Sequence, residues 1–429
     1  SLQATADAVA AVLAQREELL YPHSERRQPV ADNRPSLYAF PAMGPIIVDG
    51  YGDGWEEVPA RHFAPRDDDS NFSLQVRAQL RDDYLYLLFE VSDPQVIFHN
   101  PELSQEANGD RLVLRLWQDG RRQDYVIATA APGNVRARTE GRRYRGVQSE
   151  RSRGVWQDNA AGYSLELEVP MNYTGGRLGF FLINETGRSG RPSQVLGNTN
   201  RLDSAAPPWL IFQPAKLQAM LSSFGKSDRQ VYVVDRQQWL LGQHVSPAAP
   251  SDEQSTTFWL LRLLFRSALS QDSLVPLPPE TGNGKMSGQE ITAGLDGIDT
   301  AIRYQDPASR TRTVLSVASP IVDSRGALGT VVVRQNSEHY LSLTDQAFSR
   351  LFGYSLIALA IGAVGLLAFA SVLSWRIGAL SLAARHAISE DGQVIGTFRS
   401  STATDEIGEL SRQYAGLLAR LKEYNDYLR

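Results

Sequence analysis

The 429-residue sequence predicts a multidomain α+β membrane protein. Three observations favour this fold class. Residues 35–212 contain short segments in which apolar and polar residues alternate, residues 351–375 carry no charged side chain, and residues 405–429 repeat apolar residues at steps of three and four. These patterns are typical of half-buried strands, a membrane-spanning helix and a coiled-coil seam, respectively.

Composition excludes several function classes. The net charge of -5 argues against a nucleic-acid partner, and the absence of cysteine excludes a disulfide framework and thiolate metal sites. The six histidines are scattered without ligand-like spacing, and neither a phosphate-binding glycine loop nor a nucleophile elbow is present. The sequence therefore predicts no catalytic residue and no metal ligand of these kinds.

The first 212 residues divide into two predicted parts. Residues 1–34 contain an amphipathic helix followed by a Pro-, Arg- and Asp-rich stretch, which we interpret as a membrane-proximal helix and linker. Residues 35–212 alternate with period two, as in the run Leu74, Val76 and Ala78, and turn-forming residues separate the alternating segments. Strands at this spacing without intervening helices predict an antiparallel β-sandwich.

Several stretches of this region occur in an informative order. They read "IIVDGYGDGWEEVP", "YLYLLFEVSDPQV", "NGDRLVLRLW", "GYSLELEVPM" and "RLGFFLIN". In this order they resemble the signatures of family 9 carbohydrate-binding modules. The resemblance implies a jelly-roll-like sandwich that presents aromatic side chains to a sugar.

Three tryptophans are the candidate sugar contacts: Trp55, Trp117 and Trp156. An indole ring can stack on a pyranose face and still donate one N–H, but tryptophans of a sandwich also serve as core residues. Asp93 and Asp110 match positions of the resemblance where a carboxylate holds either a turn or a calcium ion. These alternatives stay open in the sequence.

An arginine-rich stretch, Arg136 to Gly154, is the second candidate contact region. It holds seven arginines, Arg142 and Arg143 among them, and two glutamates. Such a loop could bind an anionic glycan or lipid headgroup, or it could be a solvated hairpin.

Residues 213–340 predict a mixed α/β domain. A short helix, a strand–turn–strand segment and an apolar helix at 255–270 precede the stretch "RTVLSVASPIVDSRGALGTVVVRQN". This stretch resembles the last hairpin of the extracytoplasmic PAS-like sensor folds called Cache domains. The residues that carry the match are Ser319, Pro320, Asp323, Gly326 and Gly329.

Residues 341–376 predict a transmembrane helix with a juxtamembrane segment. The charge-free run extends from Leu351 to Trp375 and lies between Arg350 and Arg376. At about 1.5 Å per residue it exceeds the roughly 30 Å hydrocarbon core of a bilayer. A buried core helix is the alternative, but such helices seldom lack a polar face over this length.

Residues 377–429 predict a helix, a connector and a second helix. The second helix places Ile407, Leu410, Leu417 and Leu421 on one seam and begins with Glu406, for which Thr404 is the expected N-cap. The arrangement resembles a HAMP domain, a parallel four-helix signalling bundle made by a dimer. HAMP domains are cytoplasmic, which implies a periplasmic location for the residues before about 350 and a bacterial inner-membrane protein.

The whole chain resembles the input half of the sensor histidine kinases of proteobacterial dedicated sortase systems. This resemblance implies a homodimer, a periplasmic glycan or anionic envelope ligand, and no cofactor in this chain. It also implies a kinase domain after Arg429 that uses ATP and magnesium and acts on a cytoplasmic response regulator. Two alternatives remain: a chemoreceptor or cyclic-dinucleotide signalling receptor, and a membrane-anchored glycan-binding protein without enzymatic output.

Overall fold

The fold is that of a computed structural model, which describes residues 2–23, 26, 34–65, 71–104, 106–118, 120–139, 152–186, 192–224, 229–245, 275–278, 282–307, 313–336, 338–387 and 398–427. The chain forms two compact units, Ser1–Glu338 and His339–Arg429. The predicted helix at 255–270 lies outside the described residues.

The elements of the first unit are, in chain order, α1 (Leu2–Gln15), α2 (Glu17–Leu20), β1 (Leu37–Tyr38), β2 (Phe40–Pro41), β3 (Arg61–Phe63), β4 (Ser73–Arg81), β5 (Tyr84–Ser92), β6 (Arg111–Gln118), β7 (Arg121–Ile127), β8 (Gly133–Val135), β9 (Arg138–Thr139), β10 (Arg153–Asn159), β11 (Gly162–Pro170), β12 (Gly179–Asn184), β13 (Gln194–Gly197), β14 (Leu210–Ile211), α3 (Ala215–Ser222), β15 (Arg229–Asp235), β16 (Leu240–Val245), β17 (Val275–Pro276), α4 (Gln289–Leu295), β18 (Thr300–Gln305), β19 (Thr313–Asp323) and β20 (Gly326–Asn336). Helix α5 (Glu338–Ala387) begins at the end of this unit, and α6 (Glu406–Tyr427) belongs to the second.

The predicted sandwich is present and consists of a seven-stranded and a five-stranded sheet. The first has the order β2-β4-β5-β11-β10-β8, with β3 also paired to β4, and the second has the order β13-β12-β6-β7-β9. Alternate residues of β5, such as Leu87 and Phe89, face those of β6 and β12, such as Leu114 and Phe180, in one core. Leu74, Val76 and Ala78 of β4, which alternate in the sequence, are buried in the same core.

Besides the sandwich, the first unit contains a six-stranded sheet with the order β16-β15-β20-β19-β18-β17. Hairpin β19–β20 turns at Asp323–Gly326, where Gly326 has a φ of 121° that favours glycine. A parallel ribbon, β1 paired with β14, connects the two parts, because Leu37 packs in the sandwich core and Tyr38 packs in the core of the six-stranded sheet.

Helix α1 packs on the six-stranded sheet. Its buried residues Ala6, Val9 and Leu13 join Val331 and Val333 of β20 in one core. The first 34 residues, interpreted above as a separate segment, thus contribute a helix to the part of the chain predicted at 213–340. This part is therefore discontinuous in sequence.

The second unit contains most of the 50-residue helix α5 and the 22-residue helix α6. Residues Tyr354–Ala387 include an 18-residue window of mean hydropathy 2.6, no part of which is buried within the described structure. The protein therefore has one described helix that is long and apolar enough to cross a membrane. The N-cap of α6 is Asp405, not Thr404, because Asp405 Oδ1 accepts a hydrogen bond of 3.0 Å from the Gly408 N–H.

Candidate functional site

A cleft of about 560 Å³ lies between the sandwich and the six-stranded sheet, inside the first unit. The sandwich contributes β2, the loop at 43–46 and the loop at 54–59. The six-stranded part contributes β16 and the loop at 282–286. Since β2 and β16 are the edge strands of their sheets, the cleft opens where two sheet edges face each other.

The chemical character of the cleft is apolar with a few polar groups. Its lining is mostly aliphatic and aromatic, and its side-chain amides are those of Gln79, Gln213 and Gln243. The charged side chains of the lining are Glu57 and Lys285, one of each sign. A lining of this kind suits an uncharged ligand that has both apolar faces and hydrogen-bonding groups.

Tyr38 forms the rigid base of this cleft. Its hydroxyl donates to the Leu240 carbonyl at 2.7 Å and accepts from Gln213 Nε2 at 3.1 Å, while its ring stacks on Trp239 at 5.8 Å. Burial raises the pKa of Tyr38 to about 12. Lys285 Nζ lies 4.7 Å from the centre of the Trp239 ring.

The loop at 282–286 is held to the six-stranded sheet by backbone hydrogen bonds. Leu240 N–H donates to Gly284 O at 2.9 Å, and Met286 N–H donates to Gln238 O at 2.9 Å. Gly284 has a φ of 80°, and a Cβ there would lie 2.4 Å from the Tyr38 ring, so this close approach requires glycine. Sequence reasoning missed this cleft because its parts are far apart in the chain.

Trp55, a predicted sugar contact, is buried and serves as an anchor. It is 2% exposed, and its Nε1 donates to Glu166 Oε1 at 2.7 Å. The other carboxylate oxygen of Glu166 accepts from the N–H groups of Asp49 and Gly50 at 2.8 and 2.7 Å. Glu166 of β11 thereby fixes the loop at 49–55, and the Trp55 ring is not available for stacking on a sugar in this conformation.

Trp156 is also a core residue. Its side chain is completely buried, and its ring stacks on Tyr163 at 4.0 Å. Among the described residues, neither Trp156 Nε1 nor the Tyr163 hydroxyl has a hydrogen-bond partner. The sequence left open whether the tryptophans contact a sugar or belong to the core. Trp55 and Trp156 both belong to the core.

Trp117 has a different environment on the outer face of the five-stranded sheet. It is half-buried and follows Val113 and Arg115 on the side of β6 that points away from the sandwich core. Its Nε1 has no hydrogen-bond partner among the described residues. Trp117 is therefore the one of the three predicted tryptophans whose ring retains some accessibility. The predicted ligand residues Arg142 and Arg143 lie outside the described residues.

Asp93 and Asp110 lie close together in the sandwich, which their separate matches to the resemblance did not predict. Asp110 is 1% exposed and accepts backbone hydrogen bonds from Ile97 and Glu185 at 2.8 and 2.9 Å. Burial is the main cause that raises its pKa to about 7, and the nearby Asp93 raises it further, against the lowering effect of the two N–H donors. The Asp110 carboxyl therefore changes its protonation state near neutral pH.

Calcium does not fit this pair well. Both Asp110 oxygens and Asp93 Oδ1 already accept backbone N–H groups, so Asp93 Oδ2 is the one carboxylate oxygen of the pair without a described partner. Calcium takes six to eight oxygen ligands. No group of three or more acidic or histidine side chains in the described part of the chain could hold a metal ion.

The predicted signalling residues lie on α6, and the structure divides them between two stripes. One stripe, Ile407, Ser411, Tyr414 and Leu418, is half-buried or buried within the second unit, and the Tyr414 ring lies 5.5 Å from that of Phe398. The other stripe holds Leu410, Leu417 and Leu421, which are 56%, 59% and 47% exposed. Glu406 is exposed at the first position of the helix.

Arg376 at the end of the apolar helical run is connected to the start of α6. Its guanidinium forms an ion pair with Asp405. The Gly408 N–H first, and Arg376 in addition, hold the pKa of Asp405 below its usual value. The N-cap residue of α6 thus forms an ion pair with the helix that contains the candidate membrane span.

Comparisons with known proteins give a limited similarity. No protein-family model and no curated protein matches the chain. Two solved structures of a family 9 carbohydrate-binding module from Caldicellulosiruptor kristjanssonii, one in complex with cellotriose and one with glucose, each align at 15% identity and a TM-score of 0.28. They cover 38% of this chain and 83% and 84% of their own chains.

Proposed function

We propose that this chain is the sensing and transmitting part of a dimeric transmembrane receptor, with the first unit in the periplasm and α6 in the cytoplasm. The observation that best supports the proposal is the exposed apolar surface of helix α5. This helix begins two residues after the last strand of the six-stranded sheet, and it contains an exposed window of hydropathy 2.6 that would be unfavourable in water. A bilayer is the solvent in which such a surface is stable.

The exposed stripe of α6 supports the dimeric part of the proposal. Leu410, Leu417 and Leu421 recur at steps of seven and four residues on a helix whose other apolar stripe is already covered. A parallel copy of the same helix would bury this stripe as a coiled-coil seam. Repacking of such a seam between two states is a known way to carry a signal along helices.

The output would be a histidine kinase that uses ATP and magnesium and phosphorylates a response regulator. This step rests on the sequence resemblance of the helix–connector–helix region to HAMP domains. A chemoreceptor or a cyclic-dinucleotide enzyme would use the same input and differ only in that output.

The ligand site in this proposal is the cleft between the two sheets. Its aromatic and aliphatic lining with three glutamine amides favours an uncharged glycan over an anionic one, because the described lining holds a single cationic side chain. Trp117 on the outer face of the sandwich is a second place for a sugar to stack.

Reporter fusions test the topology. With an export segment upstream, a reporter that is active only in the periplasm should be active when fused after Ser342 and silent when fused after Arg429. A cytoplasmic reporter should give the opposite pattern at the same two positions. Periplasmic activity at both positions, or at Arg429 alone, would contradict the proposal.

A further inference from the structure

A buried polar cluster on the six-stranded sheet joins three neighbouring strands to helix α4. Glu290 of α4 is fully buried, and its carboxylate accepts from the Tyr304 hydroxyl of β18 and from Ser316 Oγ of β19 at 2.9 Å. Arg334 of β20, 2% exposed, lies 3.4 Å from the same carboxylate. Glu290 and Arg334 thus form an ion pair between α4 and the sheet, and both side chains are buried.

Helix α4 is also connected to the cleft. The loop at 282–286 that lines the cleft is followed by only two residues before α4 begins at Gln289. Met286 belongs to both places, because it lines the cleft and packs with Ile291 of α4 on the sheet. Gly294 fits so closely on β20 that a Cβ there would lie 2.2 Å from Thr330 Oγ1. The loop and α4 are therefore joined both by a short connection and by the packing of Met286.

Arg334, the cationic residue of the cluster, is close in sequence to helix α5. Arg334 is the ninth residue of β20, two residues before the strand ends at Asn336, and α5 begins at Glu338. Arg334 pairs in register with Gln230 on one side and Ser316 on the other, so it lies in the interior of the sheet. The chain thus runs from Arg334 to the first turn of α5 in four residues.

We propose that Glu290 is the coupling residue that transmits occupation of the cleft to α5 through Arg334. Separating a buried ion pair leaves both charges uncompensated, so the contact between Glu290 and Arg334 resists being broken. A ligand that shifts the loop at 282–286 shifts Glu290, and Arg334 follows with the end of β20. The inference rests on the proposed function only in taking the cleft as the ligand site.

A double-mutant cycle in the full chain tests this coupling without a known ligand. Gly44 lines the cleft, and a Cβ there meets no atom within 4 Å, so the position has room for a Trp side chain, and Gly44→Trp is the perturbation used in place of a ligand. Glu290→Gln removes the charge of the coupling residue. Leu202→Trp adds the same ring at a site that is 93% exposed and outside the cleft, and serves as the control. The measurement is the deuterium exchange of backbone amides at 338–350.

Gly44→Trp should change the exchange rate of these amides by about fivefold or more, the lower end of typical couplings between sites. The same substitution in the Glu290→Gln background should change it little, and Leu202→Trp should have no effect in either background. An equal change in both backgrounds, or none in the parent, would overturn the inference.

If Glu290→Gln prevents folding, Arg334→Gln removes the other charge of the pair, while Tyr304 and Ser316 still donate to the Glu290 carboxylate. It should weaken the response to Gly44→Trp, and a full response would overturn the inference. Exchange at 338–350 requires neither dimerisation nor a particular membrane orientation. A failure of this test therefore leaves the reporter and dimer tests of the proposed function unaffected, and their failure leaves this test interpretable.

Discussion

The Asp93–Asp110 pair predicts a pH-dependent stability that a single substitution should reduce. The pKa of Asp110 is raised to about 7 from an ordinary value of 3.8, mainly by burial and further by Asp93. A carboxyl group with a raised pKa stabilises the fold fully below its unfolded value and loses this contribution as the pH rises through about 7. Asp93→Asn removes the neighbouring negative charge and should be most stabilising above this range.

The size of the effect follows from the contacts. Asp93 Oδ2 has no described partner and the carboxyl lies within hydrogen-bonding reach of Asp110, so the side-chain amide introduced by Asp93→Asn could donate there. A decrease of about one unit in the pKa of Asp110 corresponds to about 1.4 kcal/mol. With a new hydrogen bond to a charged group, we expect a gain of about 1–3 kcal/mol in unfolding free energy at about pH 8, and little gain at about pH 5.

Urea unfolding of the full chain, followed by tryptophan fluorescence, measures this difference. Comparing the variant with the parent at each pH cancels the titration of other groups. Asp82→Asn is the matched control, because Asp82 is an exposed aspartate with a φ of 52° that asparagine also tolerates. A variant that is less stable than the parent by the same amount at both pH values would refute the reasoning.

Three further substitutions test the roles given to Trp156, Trp117 and Glu166 in the sandwich. Trp156→Ala should lower the unfolding free energy by about 3–5 kcal/mol because the ring is fully buried, and Trp117→Ala should lower it clearly less; equal losses in urea unfolding would contradict this placement. Glu166→Ala removes the acceptor of three hydrogen bonds, so amide exchange at 49–55 should rise while exchange in β6, which serves as the internal control, changes less; unchanged exchange at 49–55 would show that Glu166 does not hold the loop.

The sequence predicted the strands of the sandwich well, because alternation reports which side of a strand faces the core. It could not predict what covers the outer side. Glu166 and Arg115 both occupy outward positions of the alternating pattern, yet each is 1% exposed. Glu166 is covered by the loop at 49–55, and Arg115 is held by Asp124 and by the carbonyls of Asn200 and Asp203. Such coverage depends on contacts between distant residues.

The candidate sites likewise differ in how far the sequence could predict them. Spacing predicted one seam through Ile407, Leu410, Leu417 and Leu421 because a helix is a local structure, but it could not predict that Ile407 would lie on the covered stripe. The cleft and the Glu290 cluster could not be predicted, since they bring together residues from 38 to 334 that carry no local motif. For tryptophan, residue type indicates a large amphipathic ring but not its side of the sheet, which is why Trp55 and Trp156 were equally good candidates for ligand contact and for the core.

Cysteine cross-linking on α6 tests the central proposal of a dimeric transmembrane relay most directly. The chain has no cysteine, so Leu417→Cys and Ala419→Cys each give a single thiol, and both positions are exposed in one chain. In membranes, Leu417→Cys should form an intermolecular disulfide rapidly, because seam positions of a parallel dimer approach closely, and Ala419→Cys should react slowly. Equal rates at the two positions, or a chain that stays monomeric in the membrane, would contradict the relay and favour a membrane-anchored binding protein instead.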